Sequence, residues 1–487
     1  MRIAIIGGGI AGLAAAYELE KAGAAGASLD YTLFEERPRL GGSLHSDIVD
    51  GAVLERGPDS FLSEKPAAAE LCRELGLAAD LLPSNDAARK TYIVIRNRLV
   101  PLPDGLMFLV PTKLMPTALT PLFSFSTKVR MARELLQPPR PSDRDEPVAA
   151  LVERHFGREV VDRLADPLLS GIYGGDAAQL SVQTVLPRLV EMERQYGSLT
   201  RGMLAAYRKM HATANSKTPG PNANRSGAGA AVFTALRGGM SQFVDALVAR
   251  LNPVSLRTGA PVDEIAKTAR GWSVLAGGVQ RYFDSIVMAA PAWAAGALLA
   301  PIDPQLGADL SAIPYTSSIT VNLLYDQSRI GSLPEGFGFL VPAVEGRAML
   351  ACTFAHRKFL GRTPPGKAVF RAFLGGINRE SLLAEPDEVL MATVRREMSA
   401  ILGPDTISTA AEPDHAQVSR WPRAMAQYAV GHKERTQRIG ARVAALPGLR
   451  LAGNAYDGIG VPDCIRLGRQ AARELAAAGV KTIASTT

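Results

Sequence analysis

The sequence predicts an α/β fold, a parallel-sheet core leading into a mixed-sheet α+β part with a mainly helical insertion. Three observations predict it. A strand, a glycine-rich turn, a helix and a second strand follow one another between Met1 and Glu35. A second glycine-rich turn joins a strand to a helix near the other end, at residues 452–463. Between them, helical patterns over 147–210 give way to alternating strands such as 319–325 and 336–341. At 487 residues the chain exceeds the size at which one core keeps growing, so more than one domain is expected.

The first segment is read residue by residue. Arg2-Ile3-Ala4-Ile5-Ile6 is a short apolar run suited to a parallel strand buried on both faces, ending at Gly7. In Gly7-x-Gly9-x-x-Gly12 the first glycine permits a tight turn and the second lets a pyrophosphate approach bare backbone. The third lets the next helix pack closely on the strand. Ala11, Leu13, Ala14, Ala15, Tyr17 and Leu19 supply that helix, whose free amides and positive dipole end would face the phosphates. Residues 31–35 then read as a second strand that delivers Glu35, 23 residues after Gly12, to grip a ribose hydroxyl.

Composition narrows the remaining classes. With 47% hydrophobic and 21% charged residues the chain is an ordinary globular one. Cys72, Cys352 and Cys464 stand too far apart for a metal or redox motif, so no metal is expected, and the low count fits a reducing cytoplasm. The glycine loop begins too early to follow a cleaved leader, and the weakly charged stretch 286–302, broken by Pro291 and Pro301, reads as a strand and a short helix. A net charge of +7 favours anionic partners, but the basic residues are scattered and no nucleic-acid motif is present, which argues against nucleic-acid binding.

Further along, Arg39-Leu40-Gly41-Gly42-Ser43 and residues 55–61, including Gly57, read as loops; the glycines admit a flat or bulky group, and Arg39 is placed to reach a phosphate. Residues 99–125 are rich in proline and large apolar side chains. Two readings stay open: an apolar cavity wall or membrane-surface segment beside Lys128, Arg130 and Arg133, and a buried proline-rich loop. Residues 171–176 interrupt the helical patterns, 212–231 read as a flexible loop, and 272–275 join the strands of the mixed sheet. At the far end, 449–454 lead as a strand into Gly453, and Gly458-Ile459-Gly460-Val461 precede a helical pattern over 464–478. Such a helix end suits the pyrimidine side of a flavin, where negative charge gathers on reduction.

Taken together, GGGIAGLAAAYEL, FEERPRLGGS, ERGPDSFL, SGIYGGDAAQLSVQTVLPRL, LRGGMSQFVDAL, EGFGFLVP, RWPRAMAQYAVGH and AGNAYDGIGVPDCI resemble the oxygen-dependent porphyrinogen oxidases of haem biosynthesis. These are the protoporphyrinogen and coproporphyrinogen III oxidase branches of the flavin monoamine oxidase superfamily. The resemblance implies a Rossmann-type FAD-binding domain, a mixed-sheet substrate-binding domain and an inserted helical domain. It also implies FAD-dependent removal of six electrons and six hydrogens from a porphyrinogen, in three rounds, with O2 reduced to H2O2. Carried over motif by motif, Gly7, Gly9, Gly12, Glu35, Arg39, Gly42, Ser43 and Gly57 hold the cofactor's ADP half and its approach. Val262 contacts adenine through its backbone, and Trp421, Gly453 and Val461 surround the flavin. Phe339, Leu340 and Phe373 resemble the apolar walls of the substrate cavity, and the Gly171 carbonyl lies near the substrate as a pyrrole proton acceptor.

One departure bears on the substrate. Many protoporphyrinogen-specific enzymes carry an arginine where Thr91 stands, and threonine cannot make a bidentate pair with a propionate. That difference, the segment 110–124 and the basic charge lean toward coproporphyrinogen III, with protoporphyrinogen IX the alternative. Ser419-Arg420-Trp421 offers no cysteine for a covalent flavin, which sets the chain apart from covalently linked amine oxidases. An amine oxidase or a carotenoid desaturase on the same fold, and a non-enzymatic porphyrin carrier serving ferrochelatase, are the rival readings. The expected boundaries are 1–85, 232–300 and 421–487 for the FAD-binding domain, 86–211 and 301–420 for substrate-binding and helical parts, and 212–231 for the loop. Oligomeric state is not encoded in these patterns; peripheral contact with a membrane is compatible with them.

Overall fold

After the exposed Arg2, the opening strand Arg2–Ile6 carries only the apolar Ile3, Ala4, Ile5 and Ile6, and it accordingly occupies the middle of a five-stranded parallel sheet. Asp30–Phe34 and Ser285–Met288 flank it, with Ile5 level with Leu33 and Val287, and Leu256–Arg257 and Leu449–Leu451 form the two edges. Segments far apart in the chain therefore build one sheet. One face packs on the helices Ile10–Ala24, Met240–Val248 and Val461–Ala484 through Ile3, Ile5, Leu13, Leu247 and Ile465. The other face, through Ala4 and Ile6, meets Trp272, Leu310 and Ile439. This computed structural model describes residues 1–107, 109–140, 144–216, 231–377 and 379–484.

Trp272 belongs to a separate antiparallel sheet, Val262–Thr268, Gly271–Ala276 and Val279–Phe283, and not to the mixed sheet in which 272–275 were expected. The reason is local. Gly277 and Gly278, both at positive φ, close a tight hairpin that keeps these strands together, and Trp272 and Phe283 bind them to the parallel sheet.

The mixed sheet has seven strands in the order His415–Ala426, Tyr315–Asp326, Lys367–Gly375, Met349–Phe354, Gly338–Leu340, Thr91–Ile95 and Arg98–Pro101. Its pairs are antiparallel except that between Gly338–Leu340 and Thr91–Ile95. One face carries Val321, Phe339 and Phe370 and is covered by Leu390, Val394 and Met398 of the helix Asp387–Leu402. The helical part runs from Val148–Phe156 to Leu199–Ser216, so the first five residues of the expected loop 212–231 continue a helix. Residues 217–230 lie outside the described residues. Inside this part the fully buried His155 imidazole lies 3.0 Å from Glu134 and 3.1 Å from Glu193.

Candidate active site

Three glycines of the first turn do three different things. Gly7 sits at φ +110°, and a Cβ there would lie 2.7 Å from the Ala289 carbonyl oxygen. At Gly12 a Cβ would lie 1.9 Å from the Gly7 oxygen, so its absence seats the helix on the strand. Gly9, the N-cap of the helix Ile10–Ala24, has nothing within 4 Å of a Cβ position and no side chain capping it. Its amides and dipole are thus presented over open ground of the kind a pyrophosphate needs.

Glu35 follows the strand Asp30–Phe34 and accepts from the Gly8 amide at 2.6 Å and from the Arg37 amide at 3.0 Å, one bond to each oxygen. A carboxylate has about four acceptor positions, so capacity for a diol is left. The Ala260 amide donates to the Glu35 carbonyl at 2.9 Å, which brings Val262, at the start of its strand, to the same end of the sheet. Arg39, the residue expected to reach a phosphate, spends three of its five donors within its own loop. Its guanidinium donates to the carbonyls of Leu40, Gly42 and Leu44 at 2.5–2.9 Å, fastening its own loop. Burial and the nearby arginines Arg37 and Arg56 hold its pKa below the usual arginine range. A short loop that doubles back at Gly41 and Gly42, both at positive φ, leaves its carbonyls facing this guanidinium.

The same loop touches the first turn: Gly41 bridges Gly9, and a Cβ on Gly42 would lie 3.1 Å from the Gly9 Cα. A Cβ on Gly57 would fall 1.8 Å from the Ser43 carbonyl oxygen, so Ser43 and Gly57 are locked backbone to backbone. Three side chains of the mixed sheet then hold three consecutive carbonyls: Asn322 donates to Glu55 at 2.9 Å, Trp421 to Arg56 at 2.8 Å, and Arg371 to Gly57. At the C-terminal end Gly453 stands at φ +129° after the strand Leu449–Leu451, and Val461 opens the helix Val461–Ala484. That helix lies parallel to Ile10–Ala24: a Cβ on Gly468 would lie 2.0 Å from the Ala11 oxygen, and Arg469 and Arg473 both reach Glu18 at 2.7 Å. Two helix N-termini, from opposite ends of the chain, thus point the same way.

Strand register sorts the substrate-side residues. Ile93, Leu340, Ala351, Phe373, Thr320 and Ser419 form one row across the sheet. Thr91, Gly338, Thr353, Arg371, Asn322 and Gln417 form a second row, two residues along and therefore on the same face. Asn322 and Arg371 show that this face looks onto the 55–57 loop. Phe339 lies between the rows and points the opposite way. It is buried in the core against Phe354, with ring centroids 6.2 Å apart, so it does not wall the cleft as expected; alternation along the strand gives that place to Leu340.

Gly171 is exposed in the last turn of the helix Asp166–Tyr173, where backbone carbonyls lack intrahelical partners. The helix runs through the expected interruption and stops at Gly174, which adopts φ +60°. A Cβ on Gly171 would sit 3.4 Å from Leu340, so the helix end and the sheet face adjoin. Beside them opens a cleft lined by Ser170, Gly174, Val341, Met349, Leu350 and Ile377 among others. Sequence reasoning missed Met349 and Leu350, and with them Arg347 and Arg379 of the same cleft. They come from two strands whose pairing only the fold reveals.

Comparison with known proteins agrees with this geometry. The family model described as flavin containing amine oxidoreductase matches residues 10–476. The chain is 32% identical to coproporphyrinogen III oxidase of Bacillus subtilis over 472 residues, covering 96% of each chain. It is 28% identical to the chloroplastic protoporphyrinogen oxidase of Nicotiana tabacum, covering 97% of this chain and 84% of that one. A crystal structure from Exiguobacterium sp. 255-15, provisionally assigned as a protoporphyrinogen oxidase, superposes with a TM-score of 0.83 at 31% identity over 98% of both chains. With a glycine-lined turn, a parallel pair of helix N-termini and a family match over nearly its whole length, the chain belongs to the flavin-containing amine oxidoreductases, oxidising enzymes that work with FAD.

Proposed function

We propose that this enzyme oxidises coproporphyrinogen III to coproporphyrin III in haem biosynthesis, in three two-electron rounds that each reduce O2 to H2O2. The observation that carries the proposal is the sheet face on which Leu340 and Phe373 form one row, running from the end of the Gly171 helix to strands that grip the 55–57 loop. A flat cofactor held at that loop and a macrocycle held in the cleft would meet across this row. The relatives named for coproporphyrinogen III and protoporphyrinogen oxidation support the substrate class. Thr91 in place of an arginine favours the tetrapropionate substrate.

The residues present fit FAD. Gly9 and the amides after it receive the pyrophosphate, Glu35 the ribose, Val262 the adenine, and Gly42, Ser43, Gly57, Trp421, Gly453 and Val461 surround the flavin. Bound FAD supplies the two-electron acceptor. The binding is non-covalent: Cys464, in the first turn of the C-terminal helix, is a buried thiol pushed up to about 12 by burial, which suppresses its nucleophilic thiolate. The protein's own work is to orient and to keep water out, since aromatisation drives the oxidation. The Gly171 carbonyl oxygen, in the free last turn of its helix, accepts a hydrogen bond from a pyrrole N–H and so holds the ring that loses hydrogen.

No helix among the described residues is long and apolar enough to cross a membrane. Met115, Leu119 and Phe125 are exposed near Lys128, Arg130 and Arg133, and this surface supports peripheral contact with an acidic bilayer from the cytoplasmic side.

Anaerobic mixing of the FAD-loaded enzyme with each porphyrinogen tests the function. Bleaching of the flavin band, followed by porphyrin fluorescence when air is admitted, is the expected result, faster with coproporphyrinogen III. An unchanged flavin spectrum would mark a carrier, and oxidation of a polyamine without porphyrin formation would mark an amine oxidase.

A further inference from the structure

The cleft beside Gly171 holds two arginines that the oxidation itself does not use. Arg347 stands two residues before the strand Met349–Phe354, and Arg379 four residues beyond the strand Lys367–Gly375. Because these strands are antiparallel, with Met349 level with Leu374, the two arginines lie beyond the same end of the strand pair and line the same cleft. Elsewhere arginines near this sheet are matched with acids: Arg362 with Glu55, Arg371 with Asp59, Arg395 with Glu412 and Arg420 with Asp387. Arg347 and Arg379 are not. Arg347 donates to the side-chain oxygen of Asn97, and its Nε is buried without a partner among the described residues. The Arg379 side chain makes no hydrogen bond or ion pair among the described residues, although it is half-buried.

A guanidinium taken partly out of water with donors still unpaired and no acid beside it is poised for a planar, doubly accepting anion, and a carboxylate is the matching shape. We propose that Arg347 and Arg379 form a carboxylate subsite that receives propionate groups of the tetrapyrrole and makes the enzyme select for substrates with more of them. This rests on the porphyrinogen reading and deepens it. The apolar part of the cleft, Leu350 and Ile377 beside the bare backbone of Gly375 and Gly376, takes the ring body, while the arginines beyond the strand ends take the charged arms at its rim. Two acids share the cleft and are otherwise engaged. Asp176 accepts from the Ala178 amide at 2.7 Å, and Asp166 from the Ala177 amide at 3.4 Å. Burial also lifts the Asp166 carboxyl above its ordinary range.

The test uses FAD-loaded wild type, Arg347→Gln, Arg379→Gln and the double variant. Equilibrium binding of coproporphyrin III and of its neutral tetramide is followed by porphyrin fluorescence, alongside KM and kcat for both porphyrinogens. Wild type is expected to prefer the acid over the tetramide by about tenfold or more, since ~1.4 kcal/mol of charge-assisted bonding corresponds to a factor of ten. The double variant is expected to lose that preference, with KM for coproporphyrinogen III raised about tenfold, kcat within about twofold and flavin content unchanged. An acid-to-tetramide ratio that survives in the double variant overturns the subsite while leaving the function standing. Wild-type protein that neither binds nor oxidises a tetrapyrrole overturns both together.

Discussion

Trp421 donates its indole N–H to the carbonyl of Arg56 at 2.8 Å, joining the outer strand of the mixed sheet to a loop that leaves the parallel-sheet core. The bond fixes the distance between cofactor loop and substrate wall, because Asn322 and Arg371, on neighbouring strands of the same face, hold the carbonyls on either side. One loop is thereby read by three strands.

Trp421→Phe keeps an aromatic surface and removes the donor. With the Arg56 carbonyl left short of a partner, the loss is ~1 kcal/mol, and the dissociation constant of FAD rises about fivefold. Titration of apoprotein with FAD, read by quenching of flavin fluorescence, gives the number directly. An unchanged constant would mean that Asn322 and Arg371 hold the loop unaided.

The glycines of the first turn separate folding from cofactor binding. Gly9→Val adds a side chain where nothing lies within 4 Å, so the apoprotein melts within ~1 kcal/mol of wild type yet retains no FAD. Gly12→Val drives its Cβ into the Gly7 carbonyl, displaces the helix, and costs stability as well as flavin. Circular-dichroism melts of the two apoproteins, set against flavin content after purification, check both statements.

Thr91 lies level with Gly338, in the row that continues through Thr353 to Arg371. Thr91→Arg adds a cation on the substrate face and is expected to raise kcat/KM for protoporphyrinogen IX relative to coproporphyrinogen III by about tenfold, because a substrate of two propionates gains there an anchor, worth ~1.4 kcal/mol, of the kind coproporphyrinogen III already has in Arg347 and Arg379. Relative efficiencies that stay as they were would show that no propionate reaches this end of the row.

What the sequence made legible is what local geometry dictates. The apolar runs at 2–6 and 449–451, and glycines such as Gly7 and Gly453 that need positive φ, mark their strands and turns without reference to the rest of the chain. Long-range register is different. Phe339 and Leu340 are adjacent and equally apolar, and only the pairing with Cys352 and Ala351 decides which faces the cleft. The hold of Arg39 on its own loop was hidden because the carbonyls that take three of its donors converge only after the loop folds back at Gly41. Arg347 and Arg379 were silent for the same reason, since two residues 32 apart, each just beyond a strand end, become neighbours only through the sheet.

The buried centre of the helical part gives the enzyme a predictable response to pH. Burial alone would lower the pKa of His155, but the carboxylates of Glu134 and Glu193 outweigh it, so the imidazole titrates above its ordinary value near 6.5. Burial alone would raise the two carboxylates, and hydrogen bonding to His155 and its neighbours instead holds both below their ordinary value near 4.5. The signs follow from linkage. The imidazolium stabilises the fold fully below pH 6.5, and that contribution is lost as pH rises through the raised pKa; the carboxylates stabilise it above pH 4.5 and lose their effect as pH falls through their lowered values. The cluster therefore contributes most between about pH 4.5 and 6.5. His155→Gln is expected to cost ~3 kcal/mol at pH 5.5, because Glu134 loses its cation and Glu193 keeps only Arg154, and progressively less in alkaline buffer. Thermal melts of both proteins from pH 5 to 9 should converge as pH rises. Curves that stay parallel would mean that His155 is neutral throughout and acts only as a hydrogen-bonded spacer between the two acids.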